Sequence, residues 1–138
     1  MWRADSGGVM RKIARHMLKG VIQATLRAMS EPTRAEVDAF TGPTMLEFGT
    51  TWCGYCQAAQ ADIAAVLKRH PTVRHIKVED GRGRPLGRSF RVKLWPTLVF
   101  LEDGAEKARV VRPDSAPEIE ALFAAASESK RTAHAPGN

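Results

Sequence analysis

Residues 46–56 read LEFGTTWCGYC. Both cysteines of the 138-residue chain, Cys53 and Cys56, lie in this stretch, with Trp52 in front of them and Gly54 and Tyr55 between. The preceding TMLEFGT has the apolar content of a β-strand, interrupted by Glu47. The following QAAQADIAAVLKRH is rich in helix formers and is stopped by Pro71. The thiols therefore fall where a strand ends and a helix begins. The first backbone N–H groups of a helix have no internal partner and its dipole is positive there, so negative charge on Cys53 is favoured. Cys56, three residues on, returns to the same side one turn deeper. Cys53 is thus placed to attack and Cys56 to resolve. Gly54 leaves room for an approaching backbone, and Tyr55 puts an uncharged aromatic between the sulfurs.

Besides two inert buried thiols, and a non-catalytic binding protein in which the basic N-terminal helix carries the function and the cysteines are incidental, two other uses of the pair compete with this one. A disulfide across so short a loop would stabilise the fold by only about 2 kcal/mol, a weak reason to place it there. A metal site is the second: Cys53, Cys56, His70 and His75 give C-x2-C-x13-H-x4-H, within the range of Cys2His2 zinc modules. Against it, Pro71 follows His70, and His75 falls in an alternating strand pattern instead of on the helix face that such a motif requires.

A chain of 138 residues suits one main domain with a core large enough to fold without staples. The hydrophobic share of 43% with 26% charged residues is that of an ordinary globular protein, and no apolar run approaches a bilayer-spanning length. The net charge of +6 is concentrated at one end. Residues 1–29 hold six basic residues against Asp5, whereas 30–138 hold fifteen against fourteen acidic. A near-neutral main domain gives no nucleic-acid signature. Met10, Ile13, Ala14, Met17, Leu18, Val21 and Ile22 recur at helical spacing among basic residues. Residues 1–29 are accordingly expected to be a basic helical extension: dispensable, a docking or membrane-contacting helix over about 10–28, or a targeting segment. Cytoplasmic residence is the expectation, or an organelle if that segment is an address.

From Ser30 the pattern is regular. A helix is expected from Ser30, with Pro32 in its first turn, to about Phe40. After the strand at TMLEFGT comes the helix from about Gln57, with Ala58, Ala61, Ile63, Val66 and Leu67 as its buried side. VRHIKVED reads as a strand and GRGRPLGRSFRVKL as a basic loop with a short helix over 86–91. TLVFLEDG and AEKARVVR form a hairpin about Asp103-Gly104. A helix from Ser115 to Ala126 closes the domain, and 127–138 is expected to fray. One crossover followed by a hairpin implies an α/β domain over 30–126 with a mixed four-stranded sheet flanked by helices.

LEFGTTWCGYC, followed some 40 residues later by LWPTLVFLEDG, resembles the thioredoxin family over about residues 31–126. The resemblance implies a thioredoxin-like fold and a thiol-disulfide oxidoreductase that reduces or exchanges protein disulfides through Cys53 and Cys56, with no metal or organic cofactor. Trp52, Cys53, Gly54 and Cys56 match the family's W-C-G-x-C, and Pro96 matches its cis-proline, with Trp95 presenting its backbone to substrate. Glu47 stands where the family has a buried acid. Burial would raise its pKa and suit it to accept a proton from Cys56, with Lys77 as the lysine that tunes it. Disulfide-bearing proteins are the implied substrates, a reductase or a thiol pool the implied electron donor, and a monomer the implied state. Three departures bear on substrate range: Tyr55 between the cysteines, Trp95 before Pro96, and Arg112 in place of a groove-lining glycine. A first strand upstream of Thr33 is also not evident.

Overall fold

A computed structural model describes residues 31–133 and the single position Arg15, with side chains described to Glu128. The chain divides into two compact units, Met1–Glu31 and Pro32–Asn138. Apart from Arg15, which is helical and exposed, the expectations for residues 1–29 lie outside the described residues.

In the second unit, helix α1 spans Arg34–Asp38, strand β1 Pro43–Gly49, helix α2 Gly54–Arg69, strand β2 Arg74–Glu79, and helix α3 Pro85–Ser89. Strands β3 (Thr97–Glu102) and β4 (Ala105–Val111) and helix α4 (Ala116–Ala133) follow. The sheet runs β2-β1-β3-β4, with β1 and β2 parallel and the two remaining pairs antiparallel. This is the mixed four-stranded sheet expected of the element order. Central β1 is buried on both faces, as its apolar run requires.

Alternation along β1 divides the core into two. Met45 packs with Leu98 and Phe100 under Ala59, Ile63 and Val66 of α2 and Ile119, Leu122 and Phe123 of α4. Leu46 and Phe48 point the other way, packing with Val78, Val99 and Leu101 under Val37 of α1 and Leu86 and Phe90. By the same alternation Glu47 shares the α2 face with Met45. A carboxylate one residue earlier or later would sit under α1 and α3, away from the cysteines.

Element boundaries moved for local reasons. Helix α1 starts later than expected because Thr33, not Ser30, is its N-cap, its hydroxyl accepting the Glu36 N–H at 3.1 Å. The buried side of α2 is Cys56, Ala59, Ile63 and Val66; Ala58 and Ala61, expected to be buried, are exposed. Five alanines between 58 and 65 carry no directional signal, and the phase is set by Cys53 at the N-cap. Helix α3 stops at Ser89, ahead of the expected Arg91, which takes a left-handed φ of 56°. Helix α4 continues to Ala133, past the expected end at Ala126, since no proline or glycine intervenes before Pro136. Asp103 (φ 50°) and Gly104 (φ 80°) are the two positive-φ residues that a two-residue hairpin turn between β3 and β4 demands.

Candidate active site

Cys53 is the N-cap of α2, and its sulfur accepts the backbone N–H of Cys56 at 3.2 Å. An anionic sulfur suits both that hydrogen bond and the positive end of the helix. Both cysteines are free thiols. Cys56, in the first turn, is only 4% exposed. Burial, chiefly, pushes its thiol from 9.0 up to about 11; the hydrogen bond with Cys53 and the charges of Cys53 and Glu47 add to this, and a backbone hydrogen bond from Thr50 opposes it. Cys53 is itself buried, at 7% exposed, so the two thiols differ in what faces them: the α2 N-terminus and the Trp95 carbonyl for Cys53, the Glu47 cleft for Cys56.

The end of β1 meets Cys56 closely. A Cβ built on Gly49 would lie 2.5 Å from Cys56 Sγ, so only glycine lets the strand pass beneath the sulfur. Gly54, by contrast, faces open space, and nothing lies within 4 Å of where its Cβ would be.

Glu47 is 6% exposed and fully engaged. Oε1 lies 2.7 Å from His75 Nε2, and Oε2 accepts from Gln60 Nε2 at 2.7 Å. Gln60, one turn beyond Cys56, also donates to the Cys56 carbonyl at 2.9 Å and accepts from Lys77 Nζ at 2.7 Å. Burial alone would push the Glu47 carboxyl up. The hydrogen bonds from His75 and Gln60, with the fields of His75 and Lys77, outweigh burial and hold it below 4.5. This corrects the expectation of a raised value. It also corrects the expected partner: Lys77 is the register neighbour of Glu47 across the parallel pair, but it reaches Gln60, while His75 takes the carboxylate. Glu47, Gly49, Cys56, Gln60 and Lys77 line a common cleft of about 370 Å³, through which water can reach the buried acid and thiol.

On the other side of the sulfurs the Trp95–Pro96 peptide is cis. The Trp95 carbonyl oxygen lies 4.0 Å from Cys53 Sγ. That carbonyl also accepts from Arg112 Nε at 3.0 Å, and the Arg112 guanidinium sits 4.2 Å from the centroid of Tyr55. Arg112 takes a left-handed φ of 49°, the conformation that a glycine at this place would adopt freely. Trp95 meets Trp52 edge to face, with ring centroids 5.7 Å apart, and its Nε1 donates to Asp80 Oδ2 at 2.8 Å. Trp52 (72% exposed) and Tyr55 (61%) form an aromatic rim about Cys53.

The zinc arrangement does not assemble. His70 caps the far end of α2, a helix of 16 residues and so about 24 Å long, which puts His70 and the cysteines at opposite ends. His70 instead pairs with Glu120 at 2.8 Å, which with Arg69 lowers the Glu120 carboxyl pKa, and it stacks on Phe123. Among the described residues no group of three or more His, Cys, Asp or Glu is placed to hold a metal.

Gln60 and Asp80 were not anticipated as site residues. The signal for Gln60 was its i+4 spacing from Cys56 on one helix face. For His75 the sequence suggests only a metal ligand, whereas the structure sets it against Glu47.

The thioredoxin family model matches residues 25–125. Thioredoxin Asp f 28 of Aspergillus fumigatus is 25% identical over 96 residues, 70% of this chain and 89% of its own length. A thioredoxin of Mycolicibacterium smegmatis is 30% identical over 91 residues, 64% and 81% of the two chains. The solved structure of thioredoxin 2 from Pseudomonas aeruginosa PAO1 in its reduced form is 59% identical, with a TM-score of 0.65, over 72% of this chain and 93% of that one. With a strand, a helix and two thiols disposed as above, the chain belongs to the thioredoxin family and is a thiol-disulfide oxidoreductase.

Proposed function

We propose that the chain reduces protein disulfides with Cys53 as nucleophile, Cys56 as resolving thiol and Glu47 as the transient acceptor of the Cys56 proton. The observation that carries this division of labour is the contrast between the two sulfurs. Cys53 caps a helix beside the Trp95 carbonyl, while Cys56 lies beneath it as a thiol pushed up to about 11.

Cys53 thiolate attacks one sulfur of the substrate disulfide in line. A Cys53–substrate bond forms, the substrate S–S bond breaks, and the departing thiolate takes a proton from water. That step removes the free Cys53 sulfur, whose hydrogen bond and charge help hold the Cys56 proton in place. Cys56 therefore becomes a better acid in the mixed disulfide than in the resting dithiol. Its proton leaves toward Glu47 through the shared cleft as its sulfur attacks Cys53, the Cys53–substrate bond breaks, and the second substrate sulfur departs as a thiolate that takes a proton from water. Two electrons have passed to substrate, and Cys53–Cys56 is a disulfide.

Glu47 is ionised at neutral pH and far more acidic than the Cys56 thiol. It holds the proton only briefly, since the hydrogen bond from His75 favours the carboxylate, and it returns the proton to water through the shared cleft. Trp52, Gly54 and Tyr55 border the approach to Cys53, and the Trp95 backbone before Pro96 offers the substrate chain a docking edge. A dithiol reductase or a cellular thiol pool would restore the dithiol, and reduction is the favoured direction in a reducing compartment.

The test is a trap. Cys56→Ser should accumulate a mixed disulfide through Cys53 when mixed with oxidised insulin, while Cys53→Ser should form none. Absence of an adduct in Cys56→Ser, or an adduct through residue 56 in Cys53→Ser, would overturn the assignment.

A further inference from the structure

Residues 82–93 carry Arg82, Arg84, Arg88, Arg91 and Lys93 and no acidic residue. The remainder of 30–138 holds ten basic against fourteen acidic residues, so this near-neutral domain is polarised, with its positive charge gathered in one loop. All five cations are exposed. Arg84, Arg88, Arg91 and Lys93 line a cleft of about 400 Å³ that is closed on one side by Trp95. Two acids border these cations: Glu79 pairs with Arg84 at 3.0 Å, and Asp80, which also lines the cleft, accepts from Trp95 Nε1. Among the described residues, Arg82, Arg88, Arg91 and Lys93 make no ion pair. Five cations against these two acids leave the surface net positive, and such a field attracts an anionic ligand.

We propose that this cleft is a docking surface for an acidic segment of the disulfide-bearing substrate protein, lying beside the cysteine that Cys53 attacks. The reading rests on the oxidoreductase mechanism above. Trp95 joins the two places: its ring forms the wall of the basic cleft, while its carbonyl oxygen stands 4.0 Å from Cys53 Sγ. A polypeptide whose sulfur is at Cys53 has only to run past one side chain to reach the cations. Arg112, at the same carbonyl on the Tyr55 side, extends the positive field around the reacting sulfur. The cleft has room for a few side chains, and outside residues 82–93 the domain holds more acidic than basic residues, which disfavours a long polyanion. Acidic polypeptide therefore fits better than nucleic acid. Cations at such a rim act mainly by speeding encounter and selecting partners, and salt screens them within about 10 Å at 0.1 M.

The experiment uses the full chain and two peptides of equal length, identical except that the three residues after one cysteine are Asp-Glu-Asp or Lys-Lys-Lys. Binding is read with Cys→Ser versions by fluorescence polarisation, and turnover with versions cyclised by one disulfide. At low salt the acidic peptide should bind about tenfold more tightly and be reduced with a correspondingly higher kcat/KM, and the ratio should shrink toward one at about 0.5 M NaCl. Arg88→Gln combined with Lys93→Gln should remove most of the preference while leaving reduction of hydroxyethyl disulfide, which is uncharged, unchanged. Equal affinity for the two peptides, or a preference that survives in the double variant, would overturn the proposal. So would a single-stranded oligonucleotide of equal charge that binds more tightly than the acidic peptide, since the surface would then belong to nucleic acid. Preferential binding without reduction of either peptide or of hydroxyethyl disulfide would keep the docking surface and remove the oxidoreductase mechanism.

Discussion

Two walls flank the cysteines, and they handle charge in opposite ways. On the inner wall, under α2, the buried charge of Glu47 is hydrogen-bonded by His75 and Gln60, and Gln60 is held in turn by the exposed Lys77. On the outer wall, around Trp95, cations stand exposed, and several make no ion pair among the described residues. Buried charge must be satisfied or it is costly, so the inner network is tightly specified. Exposed charge costs little and exerts its effect at a distance, so the outer wall is free to select partners. The inner wall should govern how fast a captured disulfide is released, and the outer wall which disulfide is captured.

The largest expected effect that would sharpen this contrast comes from Glu47→Gln. Release of the mixed disulfide should slow about 10²-fold while the first attack is nearly unaffected, as rapid-quench kinetics can separate. Equal slowing of both steps would make Glu47 a structural member of the inner wall only. Gly49→Ala comes next. Its methyl group would press on Cys56 Sγ, and overpacking of this kind costs about 1–3 kcal/mol, seen as a lower Tm together with slower release. An unchanged Tm and release rate would mean that the strand yields there.

The pH dependence of stability should show two opposite windows from the same wall. Cys56 in the dithiol protein is raised from 9.0 to about 11, so the stability it contributes is complete below pH 9 and is lost as pH climbs through 11. The loss would be on the order of 2–3 kcal/mol, and Cys56→Ser should flatten it. Glu47 is lowered below 4.5, so its contribution is complete above pH 4.5 and is lost as pH falls through the lower folded value. Glu47→Gln should remove that acid-side loss from urea titrations. The smallest effect is expected on the outer wall. Asp80→Ala deletes the acceptor of the Trp95 indole, costing about 1 kcal/mol and broadening the fluorescence of the tryptophan pair, with the release step untouched. A release defect as large as that of Glu47→Gln would erase the distinction between the walls.

How much of this was legible beforehand depended on the range of the interactions. The Asp103-Gly104 turn, the strand-to-helix junction at Cys53 and the element order are local, and each follows from a few adjacent residues. The phase of α2 was not legible, because alanines mark no face. The pairing of Glu47 was not legible either. Register places Lys77 opposite it, but the side chain of Gln60 descends from α2 to take Lys77, leaving the diagonal neighbour His75 to fill the vacancy. The spacing of His70 and His75 from the cysteines matched a metal site only because spacing ignores the length of the helix between Cys53 and His70. Asp80 under Trp95, and Arg112 on its carbonyl, are tertiary encounters between loops with no period to betray them.

The hydrogen bond from the Cys56 N–H to the Cys53 sulfur has a consequence beyond chemistry at sulfur. In the proposed mechanism the Cys53 thiolate becomes a neutral sulfur bonded to substrate or to Cys56, so that α2 would lose an ionic cap, and caps of this type are worth about 1 kcal/mol. Oxidation should therefore also be a small mechanical signal, loosening one helical turn. The amide of Cys56 should exchange with deuterium faster once the sulfur is engaged, and the redox state can be read from the backbone without any redox dye.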